Sequence, residues 1–443
     1  MKNIIAAVEK HRQLILDAER YIWANPETGY KEVKTSAYMA KQFESLGYKL
    51  TFADGITGFT AEVDTEREGP TLLIMGELDS IICPSHPESD PETGAVHSCG
   101  HNAQCAGLLG VAAALTEEPV LTPLCGKIRL CAVPAEELLE LEYRLKLREE
   151  GKIKYMGGKP EFLSRGLFDG VDMALMIHTT TLKHSWLDGG SVGCVAKKII
   201  YTGKPSHAAA PWNGHNALYA ATCGLNAVNA VRETFYNGDL IRVHPIVTHG
   251  GDMVNAIPGR VVLESYVRGK SFDAITAANK RVNRAFTGAA LSLDTNVEII
   301  DIPGYAPFVN DEGMAEVCKQ AAEILPDVEL KTTADMGTGS TDIGDLSRIM
   351  PTVQPYIGGA TGTIHGNDFR ISDPDCACVN AAKWQLGMAK LLLENNAVRA
   401  RQIIADFKPE FESAKSYLAY MDSLNTSGQR IHALDDETLA VKI

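Results

Sequence analysis

The sequence lacks the features that mark membrane-spanning, exported and nucleic-acid-binding proteins. No apolar run reaches the roughly 18 residues that a membrane-spanning helix requires. The apolar stretch that follows Met1 is too short for a signal peptide. Basic charge is also scarce: the 443 residues carry a formal net charge of −14, whereas nucleic acids and anionic membranes select basic surfaces. We therefore expect no nucleic-acid partner, no membrane partner and a cytoplasmic location.

Disulfide signals and sequence repeats are absent as well. Ten cysteines in a chain without an export signal predict reduced thiols rather than a disulfide framework. The chain contains no internal repeat and no low-complexity tract. What remains is an ordinary globular composition, 45% hydrophobic and 22% charged. A chain of this length is too long for one compact core, so we expect two domains.

Strand-like and helical segments alternate in the first part of the chain. The interval Ala103–Leu115 is rich in alanine, leucine and glycine, which predicts a buried helix capped by Asn102. The apolar runs predicted as strands are Phe59–Val63, Leu72–Met75, Ile128–Val133 and Met173–Ile177. This alternation predicts an α/β domain with a mainly parallel sheet flanked by helices. Ligands of such sheets collect at the carboxyl ends of the strands.

The pattern changes at Gly189-Gly190. From there to residue 305 the order is strand, helix, strand, strand, helix, strand, which predicts an inserted ferredoxin-like α+β domain. The α/β pattern returns after Pro307. We therefore assign residues 1–189 and 306–443 to one discontinuous domain, and residues 190–305 to the insertion.

Side chains that bind metal ions follow several of the predicted strands. Cys99 and His101 flank Gly100, so a thiol and an imidazole can grip one ion from a single turn of backbone. Further acidic and imidazole side chains recur downstream where predicted strands end. Thiolate, carboxylate and imidazole together are typical of a zinc or manganese site. The candidate ligands are Cys99, His101, Glu137, His178 and His365.

Glu136 is available for a different task from its neighbour Glu137. Adjacent residues at a strand end point in different directions, so Glu136 can act as a general base while Glu137 binds metal. Asp79 can orient a ligand imidazole and fix its tautomer. Two divalent ions would polarise a carbonyl and lower the pKa of a water molecule. The implied reaction is hydrolysis of an amide bond.

Five segments together carry a family resemblance: Ile22–Tyr30, His97–Asn102, Pro134–Glu137, Lys204–Pro211 and Gly339–Asp345. Over most of residues 12–395 the chain resembles the zinc peptidases and amidohydrolases that include aminoacylase, glutamate carboxypeptidase and the indoleacetyl-amino acid hydrolases. The last segment is similar to a stretch in the branch of aminobenzoyl-glutamate hydrolase and Xaa-basic dipeptidase, to which the resemblance is closest.

The resemblance implies a role for each matching residue. Glu136 would be the general base, and the candidate ligands would hold two divalent ions, zinc or manganese, in a catalytic domain. The inserted domain would act as a lid and form a homodimer, in which His207 reaches the site of the other subunit and stabilises the tetrahedral intermediate. Asn255 and Arg268 match positions that often bind a substrate carboxylate. A thiolate ligand leans toward zinc without deciding between the metals.

The chain departs from the family pattern at three places. Asn102 stands where Asp is commoner, and Glu77 stands where many relatives have Asp or His. The charged excursion Leu138–Lys159 is longer than usual, and we interpret it as a surface segment that reshapes the substrate mouth. Asp342 is interpreted as a residue that holds its own turn.

The leading function is a metal-dependent amidohydrolase that cleaves N-acyl or N-aroyl amino acids, with an aminobenzoyl-glutamate-like substrate. A dipeptidase on the same scaffold is the alternative within this chemistry. An alternative of another class is a non-catalytic, metal-stabilised binding or regulatory protein.

Overall fold

A computed structural model of the chain describes residues 1–433 and 438–442. The chain divides into two compact units. No helix within the described ranges combines the length and apolar character needed to span a bilayer. The first unit comprises Met1–Gly190, Phe308–Gly337 and Asp342–Lys415, and the second comprises Ser191–Pro307, Thr338–Thr341 and the segment from Ser416 onward.

A six-stranded sheet forms the centre of the first unit. The last four strands in its order run parallel to one another, while the two at the first edge pair in the antiparallel sense. Every residue of the central strand, Thr71–Glu77, is buried, as expected for a parallel strand covered on both faces. The α/β fold predicted from the sequence is confirmed. The order is Leu50–Phe52, Phe59–Asp64, Lys127–Val133, Thr71–Glu77, Met173–Leu175 and Thr352–Val353.

The helix His101–Leu115 packs against the central strand, and all of its residues are buried. Its N-cap is Gly100, so the predicted cap at Asn102 is wrong. Asn102 lies in the first turn, where its Nδ2 donates to Glu19 Oε1 at 2.9 Å. The other main helices of this unit are Lys2–Lys10, Arg12–Trp23, Val33–Ser45, Leu141–Glu149, Gly158–Ser164, Glu312–Ile324, Ala381–Leu393 and Val398–Asp406.

The second unit has the strand and helix order predicted for a ferredoxin-like domain, which confirms that fold. Its sheet is antiparallel, and the helices Ala217–Arg232 and Phe272–Ser292 pack against it and bury one apolar core. The strand that follows the first helix of this unit is interrupted at Pro245, which cannot donate a ladder hydrogen bond. The strands are Gly193–Thr202, Arg242–Val243, Ile246–His249, Arg260–Gly269 and Asn296–Pro303.

The C-terminal segment differs from the expectation that all of 306–443 belongs with the first domain. The Asp301 N–H donates to the Thr426 carbonyl at 2.7 Å, and the Thr426 N–H donates back at 3.0 Å. The Arg430 N–H donates to the Val297 carbonyl at 2.9 Å. These main-chain hydrogen bonds tie the segment to the edge of the second unit's sheet. The polar composition of the segment conceals this pairing, because main-chain pairing needs no apolar side chains.

Candidate active site

A tight turn aims the first two candidate ligands. Gly100 adopts a left-handed φ of 87°, and a side chain at this position would overlap Thr179 Oγ1. Only glycine meets both requirements without strain. Cys99 therefore ends the turn and His101 opens the buried helix. The Cys99 sulfur lies 3.5 Å from His178 Nε2.

His178 and His365 reach the same place from two other elements. His178 begins the short strand His178–Thr179, which pairs with Tyr356–Ile357 in a small four-stranded sheet. His365 lies in a loop, and its main-chain N–H donates to the Ser98 carbonyl at 2.8 Å. Its Nε2 is 2.8 Å from Glu137 Oε1. The loop is thus fastened beside the turn that carries Cys99.

The predicted ligands form two groups that share one sulfur. Cys99, His101 and His178 make the first group, and Cys99, Glu137 and His365 make the second. Within each group the ligand atoms all lie within 4.8 Å of one another. The structure therefore brings together all five residues that the sequence analysis proposed as ligands.

The base turn, which we define as Pro134–Glu137, follows the strand Lys127–Val133, whose last four residues are buried. Ala135 has a left-handed φ of 56°. The two carboxylates that follow it serve different parts of the site. Glu137 belongs to the group with His365, whereas Glu136 forms a third group with Glu77 and His101, again with ligand atoms within 4.8 Å.

Asp79 orients the His101 ring. His101 Nδ1 lies 2.9 Å from the Asp79 main-chain oxygen and 3.3 Å from its Oδ1. Both oxygens are acceptors, so Nδ1 carries a proton. His101 Nε2 is buried and has no hydrogen-bond partner among the described residues. It faces Glu77 Oε2 at 3.2 Å and Glu136 Oε2 at 3.9 Å.

Acceptor atoms that converge in a buried space need a cation between them, either a proton or a metal ion. Here an imidazole nitrogen and two carboxylates converge beside a thiol. The donor set combines soft and hard ligands that suit a divalent transition metal. The residues therefore fit a metal ion.

The pKa shifts distinguish the candidate ligands Cys99 and Glu137 from the candidate base, Glu136. Burial and Glu137 oppose ionisation of Cys99, but His101 and His178 outweigh them and lower the pKa of the thiol to about 6. Burial also opposes ionisation of Glu137, yet its hydrogen bond with His365 lowers its pKa to about 2. For Glu136 burial dominates and nearby carboxylates add to it, so its pKa is raised well above the ordinary value. Cys99 and Glu137 therefore favour their ionised, metal-binding forms, whereas Glu136 holds a proton readily.

Three buried charged side chains, which we call the triad, lie beside the group of Glu77, His101 and Glu136. Lys159 Nζ donates to Glu77 Oε1 at 2.6 Å and to Asp342 Oδ1, and all three side chains are fully buried. The Lys159 N–H also donates to Asp342 Oδ2 at 2.9 Å. Asp342 therefore fastens a second segment rather than its own turn, and Lys159 belongs to the interior rather than to a surface excursion. Sequence reasoning missed Lys159 because it ends a strongly charged run.

The sequence matches peptidase family M20/M25/M40 over residues 73–386, a range that includes every candidate ligand. The chain belongs to this family. It is a hydrolase of the class that acts on amide and peptide bonds. The family predicted from the five sequence segments is confirmed.

Named relatives and solved structures agree with this assignment. The Xaa-Arg dipeptidase of Mus musculus is 28% identical over 352 residues, which cover 76% of this chain and 74% of that protein. A Bacillus subtilis structure described as a dinuclear metal binding peptidase has a TM-score of 0.64 at 19% identity and covers 88% of this chain and 100% of its own. The aminobenzoyl-glutamate utilization protein from Klebsiella pneumoniae has a TM-score of 0.66 at 19% identity, with 88% and 98% covered. At these identities the two structures establish the shared fold.

The remaining predicted site residues of this family member lie in the second unit. His207 is exposed and sits in the short strand Ser206–His207, which pairs with Ala256–Ile257. Asn255 precedes that partner strand, and its carbonyl accepts the Ala208 N–H at 2.9 Å. Arg268 is half-buried near the end of its strand. Their roles toward substrate stay predictions.

Proposed function

We propose that this hydrolase cleaves the amide bond of N-acyl or N-aroyl amino acids, with Glu136 as the general base. The divergence of Glu136 and Glu137 supports the proposal most strongly. One carboxylate of low pKa joins the candidate ligands, while its neighbour of raised pKa stands beside them. Amide hydrolysis requires a general base beside the metal ligands, which is the role proposed for this second carboxylate.

The protein's own groups move the protons. Glu136 accepts a proton from the attacking water and then delivers it to the nitrogen of the leaving amine. Its raised pKa suits the second transfer, because such a carboxyl retains the proton until the amine takes it. Asp79 keeps the His101 proton on Nδ1, which leaves the Nε2 lone pair for an ion. Divalent ions, when bound, supply the Lewis acidity that polarises the amide carbonyl and acidifies water.

Two ions, zinc or manganese, are proposed because the ligand atoms fall into two groups around one sulfur. The solved relative described as a dinuclear metal binding peptidase supports this number. The five residues that would hold the ions are Cys99, His101, Glu137, His178 and His365.

The second unit is proposed to act as a lid and to form the homodimer. His207 would then stabilise the tetrahedral intermediate in the site of the other subunit, and Asn255 and Arg268 would bind the substrate carboxylate. Exposure of His207 and Asn255 is compatible with such roles. A small acyl-amino acid is the proposed partner, and the cytoplasmic location stays a prediction.

A dipeptidase on the same scaffold is the second candidate. The curated relative that favours it is named Xaa-Arg dipeptidase, whereas the structural relative named for aminobenzoyl-glutamate favours the acyl-amino acid. The chemistry at the amide is the same for both substrates. The two substrates differ on the carbonyl side of that bond: a dipeptide carries a free amine there, whereas an acyl-amino acid carries only its acyl group.

The test is product release, measured by mass spectrometry, from N-acyl amino acids, aminobenzoyl-glutamate and dipeptides. Each reaction is run with zinc or manganese, with a chelator, and with metal restored after chelation. Cleavage of acylated substrates that stops with chelator and returns with metal supports the proposal. Cleavage of free-amine dipeptides alone selects the dipeptidase. A metal-loaded protein that binds these compounds and releases no product would refute both and favour a binding protein.

A further inference from the structure

One buried arginine, Arg144, forms hydrogen bonds with the main chain of the base turn. Arg144 Nη2 donates to the Glu137 carbonyl, and Nη1 lies 3.4 Å from the Ala135 carbonyl. The same Nη1 donates to the Met156 carbonyl at 2.6 Å. The guanidinium therefore holds the chain on both sides of Glu136. A planar fork of N–H donors suits this task, because it fixes two acceptors at a set separation.

The residues around Arg144 accommodate its buried side chain. Arg144 is only 1% exposed, although it belongs to the charged helix Leu141–Glu149. The neighbouring buried residues of that helix, Leu141 and Leu147, lie three positions to either side, on the same face. Gly29 leaves room for the guanidinium, since a side chain there would overlap Arg144 Nη2 and approach Ala135 Cα to 2.9 Å.

A second side chain, Glu32, also forms a hydrogen bond with the main chain of the base turn. Glu32 Oε1 accepts the Ala135 N–H at 2.8 Å, and its Oε2 accepts the Thr57 hydroxyl at 2.6 Å. Ala135 thus has its N–H engaged by a buried carboxyl group and its carbonyl by a buried guanidinium. A non-glycine residue holds a left-handed φ only when its surroundings enforce it. The turn that aims Glu136 and Glu137 apart is enforced by these contacts.

We propose that Arg144 is a positioning residue for the hydrolytic reaction: it fixes the base turn and thereby the directions of Glu136 and Glu137. The proposal rests on the proposed function of Glu136. The charged excursion Leu138–Lys159 then supports the base turn, whereas the sequence suggested that it reshapes the substrate mouth. The hydrogen bonds of Arg144 are to the main-chain carbonyls of Ala135, Glu137 and Met156, so it would act through the main chain.

A merely structural role is the competing explanation, because Arg144 also holds the Met156 carbonyl. The two roles predict different properties for a variant of Arg144 that still folds. A structural arginine changes the melting temperature and leaves the site intact. A positioning arginine changes kcat and metal affinity even where the variant is fully folded.

The experiment compares Arg144→Met and Arg144→Lys with wild type and with a matched control, Arg430→Met. Arg430 is also buried, and its Nη2 donates to the Ile299 carbonyl within the second unit. The readouts are kcat and KM on the substrate found in the panel, zinc affinity by chelator competition, and thermal unfolding. Arg144→Met should lower kcat by about 10- to 100-fold with KM within about threefold, and should weaken zinc binding by about tenfold.

Arg144→Lys keeps the charge but lacks the planar fork that holds two carbonyls at a fixed separation, so its kcat should fall between those of wild type and Arg144→Met. Arg430→Met should lose thermal stability and keep wild-type kcat and zinc affinity. Wild-type kcat and zinc affinity in folded Arg144→Met would overturn the proposal. Should that variant fail to fold, an unchanged kcat in Arg144→Lys would overturn it. If wild type itself hydrolyses nothing, the proposed function fails, and the zinc affinities alone decide whether Arg144 positions Glu137.

Discussion

Asp79 Oδ2 accepts the main-chain N–H of Glu137 at 2.8 Å. This hydrogen bond ties the segment after the central strand, which ends at Glu77, to the base turn after the neighbouring parallel strand. The other carboxylate oxygen, Oδ1, lies 3.3 Å from His101 Nδ1. One buried side chain therefore orients a candidate ligand on each side of it.

Replacement of Asp79 by Asn should weaken metal binding by about 10- to 100-fold, as is typical when a residue that orients ligands is changed. The amide oxygen can still accept from Glu137, but an amide N–H facing His101 Nδ1 would disfavour the tautomer that leaves Nε2 for metal. Isothermal titration of the apo protein with zinc measures this. Affinity equal to that of wild type would show that the Asp79 main-chain oxygen alone fixes the ring.

Replacement of Lys159 by Met should lower the free energy of unfolding by about 3–5 kcal/mol, because it leaves the buried carboxylates of Glu77 and Asp342 unpaired. Urea unfolding measures the loss. The double variant Lys159→Met/Asp342→Asn should recover part of it. Lys10→Met, which breaks an exposed ion pair with Glu117, should barely change stability. Equal losses in the single and double variants would contradict the triad.

Replacement of Glu32 by Gln should stabilise the metal-free protein increasingly as the pH rises. Burial and Asp79 raise the pKa of Glu32 to about 8 from an ordinary value of 4.5. Between these values the unfolded chain has released a proton that the folded protein still binds, so the wild type loses stability as pH increases. Glutamine does not titrate and can still accept the Ala135 N–H.

The stability difference between Glu32→Gln and wild type should therefore grow by at most about 1.4 kcal/mol per pH unit over this window. It should level off below pH 4.5 and above about pH 8. Urea unfolding at half-unit pH steps measures it. A difference that stays constant across the window would rule out a raised Glu32 pKa.

Mixed dimers test whether the subunits share sites. His207→Ala and Glu136→Gln should each lack activity alone, and together they should regain a fraction of it, because one of the two sites in a mixed dimer has both residues intact. The measurement is turnover after the two variants are unfolded and refolded together. Activity no higher than that of the separate variants would argue that His207 does not serve the other subunit.

The sequence predicts the site best where strand ends carry the ligands. Asp79 and Glu136 follow parallel neighbouring strands, and the carboxyl ends of parallel strands meet at one edge, so their proximity follows from the fold class alone. His365 is harder, because it lies in a loop that is held beside Ser98 by a main-chain hydrogen bond that the sequence does not reveal.

Arg144 and Lys159 could not be predicted as interior residues from composition, since charged residues in a charged run are usually exposed. A periodicity signal exists for Arg144, because it shares one helix face with Leu141 and Leu147. Lys159 offers no such signal. Its burial depends on partners that are distant in sequence, Glu77 and Asp342. Long-range charge pairing of this kind is visible only in the fold.

The most direct test of the account is turnover by Glu136→Gln with its metal content measured on the same sample. We predict that the variant binds as much zinc or manganese as wild type and that its kcat falls by at least about 100-fold, because a glutamine cannot transfer the proton. Glu149→Gln, at an exposed glutamate of the charged helix, is the control and should keep wild-type turnover. A metal-loaded Glu136→Gln protein that hydrolyses the substrate at the wild-type rate would contradict the central claim.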